Sequence, residues 1–124
     1  MQIIIPFKTP TYNHLHGHRG FRWYLKPEGK ELQKKIKEIV VNSLPFFSPD
    51  LNKGLKVEVE IYENWLCKDG SIKRKDLDNR QKFLIDCIFN SLDIDDKYIF
   101  EHTMRKIQSD EEKAIINIEV LNEK

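Results

Sequence analysis

The sequence predicts an α+β fold in the order β-α-β-α-β-β, a mixed four-stranded sheet with two amphipathic helices on one face. Three observations carry that expectation. Two segments, 28–43 and 77–90, repeat apolar residues at spacings of three and four, the period of a helix. One stretch, "LKVEVEIYE", alternates apolar and charged residues as a half-buried strand does. Three further β-branched runs, one at the start and two near the end, are bounded by proline or turn residues.

In chain order, "MQIIIPF" is apolar and β-branched until Pro6 stops it, which predicts a short buried strand. Lys8 to Lys26 shows neither period and reads as one long loop carrying histidines, arginines and aromatics. The first helix is expected from Glu28 to Ser43, with Leu32, Ile36, Ile39, Val40 and Leu44 inward and Pro45 ending it. Leu55 to Glu63 is the alternating strand, with Leu55, Val57, Val59 and Ile61 on one side and charges on the other. A loop with an Asp69-Gly70 turn leads to the second helix, Leu77 to about Asn90. "KYIFEHTMRKIQ" and "KAIINIEVL" then read as strands joined by the turn "SDEE", predicting an antiparallel hairpin.

A length of 124 residues suits a single domain, 1–124. No stretch is long and apolar enough for a bilayer, and the N-terminus lacks the layout of a signal peptide. A cytoplasmic protein without membrane contact is therefore expected, its Cys67 and Cys87 reduced. The net charge of +1 conceals an imbalance. Residues 1–75 hold 14 Lys and Arg against 8 Asp and Glu, whereas 76–124 hold 7 against 12. A basic half beside an acidic half is compatible with a polyanion surface next to a cation site, but by itself reads better as charges spread over two solvated faces.

The acidic residues are arranged rather than scattered. "KRKDLDNRQK" sets Asp76 and Asp78 directly after Lys73, Arg74 and Lys75, where a loop turns into a helix. Helix capping alone accounts for Asp76. On the helix, Asp78, Lys82 and Asp86 fall on one row at four-residue spacing, a ladder worth a few tenths of a kcal/mol by itself. Capping does not require the second cluster, Asp93, Asp95 and Asp96. Aspartates that converge repel one another unless a hard cation neutralises them, and Mg²⁺ takes carboxylates, water and phosphate oxygens. A basic rim at Lys73, Arg74 and Lys75 would draw a phosphate backbone to such an ion, the layout of metal-assisted phosphodiester hydrolysis.

Over Lys75 to Ile99, "KDLDNRQKFLIDCIFNSLDIDDKYI" resembles the RusA-type Holliday junction resolvases, small Mg²⁺-dependent endonucleases often carried by prophages. That resemblance implies Asp76, Asp78 and Asp96 as essential acids and metal ligands, with Asp95 as a neighbouring ligand and Lys82 as the site lysine. It also implies a homodimer that nicks opposite strands of a four-way junction in DNA recombination and repair. Mg²⁺ is the implied cofactor, with Mn²⁺ able to substitute, and no small-molecule cofactor is implied. Departures are the early loop "TYNHLHGHRG", which keeps Asn13 without a Pro-Pro-Ser-Asn run, and Lys97-Tyr98 after the acidic pair.

Asn13, Arg19 and Arg22 are expected at DNA, with Trp23 and Tyr24 for stacking, although ordinary loop packing explains them as well. His14, His16 and His18 would share one side of an extended segment, but no cysteine or second spaced pair accompanies them as zinc would require. Two other functions fit the same residues: a nuclease for flapped or otherwise branched DNA, and a non-catalytic nucleic-acid-binding module.

Overall fold

Period-two burial places the strand Leu55–Glu63 at the heart of the molecule. In the computed structural model Leu55, Val57, Val59, Ile61 and Glu63 are all buried, and the residues between them are half-buried. The structure describes residues 1–9, 15–20, 22–43, 47–75 and 77–121, apart from the side chains of Arg19, Arg22, Asp78 and Asn79. Its strands are β1 (Gln2–Ile5), β2 (His16–Arg19), β3 (Arg22–Leu25), β4 (Leu55–Glu63), β5 (Ile99–Gln108) and β6 (Lys113–Val120). The helices are α1 (Pro27–Ser43) and α2 (Leu77–Leu92), with one-turn 3₁₀ segments at Leu51–Lys53 and Asp96–Tyr98.

The main sheet runs β1-β6-β4-β5, with β5 parallel to β4 and the other neighbours antiparallel. Its apolar face, from Ile3 and Ile5 through Ile116 and Ile118 to Val57 and Val59, meets Ile36 and Val40 of α1 and Leu84 and Ile88 of α2. Each such side chain contributes about 1.5–3 kcal/mol by leaving water. The α+β expectation is met. α1 opens on Pro27, whose missing N–H is no loss at a first helical position. Gly29 lies buried in that first turn because a Cβ there would come 2.5 Å from Leu25 Cδ1.

Three expectations need correction. The interval Lys8 to Lys26 is not a plain loop: β2 and β3 form an antiparallel hairpin, pairing His16 with Leu25 and Arg19 with Arg22. Four-residue strands such as "HGHR" and "RWYL" are too short to display a period. α2 continues to Leu92, two residues beyond the expected end. The largest change concerns β5 and β6, which do not form a hairpin, because β4 lies between them. A helical crossover from β4 through α2 returns the chain to the same end of the sheet, so β5 lies parallel to β4. β6 takes the other edge of β4. The four residues 109–112 can reach about 13 Å, enough to cross two strand spacings of about 4.8 Å each. Among the described residues, no helix is long and apolar enough to cross a membrane.

Candidate active site

The acidic end of α2 is shaped by its own backbone. Asp93 adopts φ 56°, the left-handed conformation in which an Asp is tolerated. Its N–H donates to Asn90 O at 3.2 Å, and the Ile94 N–H donates to Phe89 O at 3.1 Å. Together these bonds form a Schellman motif, which satisfies the last carbonyls of the helix and turns the chain sharply. Asp95 then caps the next 3₁₀ turn, its Oδ1 accepting from the Lys97 N–H at 2.9 Å. Asp96 opens that turn. The result is a cavity of about 470 Å³ whose walls include Asp86, Asp93, Asp95 and Asp96 over an apolar floor of Ile85, Phe89 and Ile94.

Asp86 is the electrostatic centre of this cavity. Although the residue is exposed overall, burial of its carboxyl lifts its pKa above the usual carboxylate value. Lys82 and His16 pull it back down, whereas the Asp96 charge pushes it up. His16 reaches this region from the β2–β3 hairpin, meeting the Phe83 ring edge-on at 6.4 Å. Farther along the same hairpin face, His18 packs against Trp23 at 5.3 Å, and Trp23 stays 60% exposed.

The predicted site residues fall into two groups. Asp95 and Asp96 lie just before Ile99, which pairs with Leu55 at the beginning of β4. The start of α2 lies by the far end of β4, where Arg80 meets Glu63. Asp78 is in the first turn of α2, on the row of Lys82 and Asp86 and about 12 Å before Asp86 along the axis. Asp86 therefore stands midway, and the cavity gathers only the second group. Asp76, Asn13 and His14 lie outside the described residues, as do the side chains of Asp78, Arg19 and Arg22. Lys73 is half-buried and Arg74 exposed. Lys75 is turned inward, with its Nζ 3.0 Å from Glu63 Oε2.

A family model described as Endodeoxyribonuclease RusA matches residues 6–119, nearly the whole chain. The chain belongs to the RusA endodeoxyribonuclease family. No curated protein matches it. The family resemblance read from residues 75–99 thus extends across the fold.

Carboxylate oxygens around an open, polar cavity are hard donors, of the kind that Mg²⁺ or Mn²⁺ takes. Among the described residues no three His, Cys, Asp or Glu side chains are grouped to hold a metal.

Sequence reasoning left three residues of this region without a functional role. Asp86 was visible on the Asp78–Lys82 row but reads there as a surface ladder. Glu63 was visible from the parity of β4, which puts position 63 inward. Arg80, 4% exposed, gave no signal, because a cation in the first turn of a helix opposes the helix dipole.

Proposed function

We propose that this chain is a Mg²⁺-dependent endodeoxyribonuclease that resolves four-way DNA junctions by paired, symmetric nicks made as a homodimer. The observation that carries the reading is the family match over residues 6–119. The acid-lined cavity at the end of α2 supports it. Asp76, Asp78 and Asp96, with Asp95 beside it, are the proposed ligands of Mg²⁺, or of Mn²⁺ in its place; within one chain α2 keeps the two groups about 24 Å apart, so a shared ion takes one group from each subunit of the proposed homodimer. When bound, such an ion supplies Lewis-acid stabilisation of phosphate charge and lowers the pKa of water.

The remaining work belongs to the chain. Lys82, one helical turn before Asp86, stabilises charge developing on the phosphate or orients the attacking water. Asp95 commits one oxygen to its cap and so stiffens the turn that presents Asp96. Lys73 and Arg74 meet the DNA backbone, and Lys75 joins them only by leaving Glu63. Arg19 and Arg22 close the hairpin and, with Asn13, are the proposed DNA contacts, while the exposed Trp23 and Tyr24 offer stacking faces for bases near the branch point.

Nicking of a synthetic four-way junction, a flap and a linear duplex, each with Mg²⁺ and with EDTA, tests this reading. Metal-dependent cutting that favours the four-way junction is the expected result. Preference for the flap would move the substrate to other branched DNA, and metal-independent binding without cutting would leave a binding module. Asp78→Asn should abolish cutting while preserving or strengthening junction binding, because one negative charge facing phosphate is gone. Loss of binding together with unfolding would make Asp78 structural.

A further inference from the structure

Glu63 is a charged residue in an apolar position. It ends β4 on the core face and is 2% exposed. Its Oε2 lies 3.0 Å from Lys75 Nζ and 3.4 Å from Arg80 Nη2, and its Oε1 lies 3.2 Å from Arg80 Nη1. Arg80 Nη1 also donates to the Thr9 carbonyl. Trp65 supports both cations, its ring centroid 5.9 Å from Lys75 Nζ and 6.0 Å from Arg80 Cζ. The indole is itself fixed, donating from Nε1 to Ile61 O at 3.1 Å.

Burying a carboxylate with two cations is a poor way to stabilise a fold, since well-packed apolar side chains usually do as well or better. A cation in the first turn of α2 also opposes the helix dipole. What the cluster does achieve is positional. Lys75 immediately precedes Asp76 and Arg80 immediately follows Asn79, so one carboxylate grips both ends of the Asp-Leu-Asp-Asn motif.

We propose that Glu63 is a positioning residue for this motif, clamping its two ends to β4 through Lys75 and Arg80. The inference rests on the nuclease reading only for its catalytic consequence. Without Glu63 the two cations lose their shared anchor, and the start of α2 that carries the motif loosens.

Glu63→Gln keeps the shape and removes the charge. Hydrogen exchange of the folded variant should be faster in peptides covering 73–83 and unchanged in β1 and β6. At saturating junction its cutting rate should fall about tenfold or more, as is common when a residue orienting metal ligands is lost, while the junction Kd moves less than about twofold. The double variant Glu63→Gln/Arg80→Gln should cut no more slowly than the weaker single variant, because both act through one contact. Unchanged exchange at 73–83, an unchanged rate, or losses that multiply in the double variant would each overturn the proposal. If Glu63→Gln does not fold, Arg80→Lys keeps the charge but loses the two-pronged contact. It should give the same exchange and rate changes, and its matching wild type would be equally fatal. A wild-type protein that fails to cut any junction would sink the nuclease reading, while the exchange comparison would still decide the clamp.

Discussion

Asp86 is held in the folded protein at a cost to its charged form. Burial raises its pKa first, and the charge of Asp96 adds to that, against the pull of Lys82 and His16. A carboxyl with a raised folded pKa opposes folding once ionised, and the penalty vanishes below its unfolded value near 3.9. Asp86→Asn should therefore raise the melting temperature of metal-free protein at pH 7 by a small amount, below about 1 kcal/mol in stability, because much of the residue is exposed. The gain should disappear by about pH 3.5, where Asp86 is protonated in both states. A lower melting temperature at pH 7 would mean that contacts with Lys82 or His16 outweigh the desolvation. Lys82→Ala should leave the fold intact and slow cutting about 10²-fold or more, the usual scale for losing one transition-state charge contact. An unchanged rate would remove Lys82 from the site. At this scale the sequence revealed the Asp78–Lys82–Asp86 row, since four-residue spacing suffices for it. It concealed Glu63, because strand alternation marks the inner position but does not say that a charge there has partners from two distant segments.

The turn after α2 decides where the acidic pair points. Its Schellman bonds require a left-handed residue at position 93, and Asp is only tolerated there. Asp93→Val should destabilise the protein by about 1–2 kcal/mol, whereas Asp93→Gly should be neutral or better; chemical denaturation of the two variants measures the difference. If valine were tolerated, the turn would not constrain Asp95 and Asp96. The helices and β4 were legible because each repeats its period over many residues. The β2–β3 hairpin was not, since its strands are four residues each and one begins His-Gly-His. Its importance comes from tertiary contact: it carries His16 to Phe83 and into the electrostatic field of Asp86.

Across the whole molecule, strand order positions the site. The β4-α2-β5 crossover lays α2 along the sheet, with the Asp-Leu-Asp-Asn motif at one end and Asp95-Asp96 at the other. Adjacent strands usually pair, which made a β5–β6 hairpin the natural expectation; that order depends on which edge of β4 the crossover fills, and no local pattern encodes it. Ile116 sits fully buried in β6, between β1 and β4, so Ile116→Ala should cost about 2–5 kcal/mol by urea titration. A much smaller loss would place β6 elsewhere. The proposed site depends most on these two acidic segments, one from each subunit of the homodimer, serving one divalent ion or one coupled set of ions. Calorimetric titration of Mn²⁺ into wild type, Asp78→Asn, Asp96→Asn and the double variant measures that coupling. The expected result is that each single variant weakens binding at least tenfold and the double variant loses little more. Wild-type affinity in Asp96→Asn would show that the end of α2 takes no part in holding the metal, and the proposed site would fall.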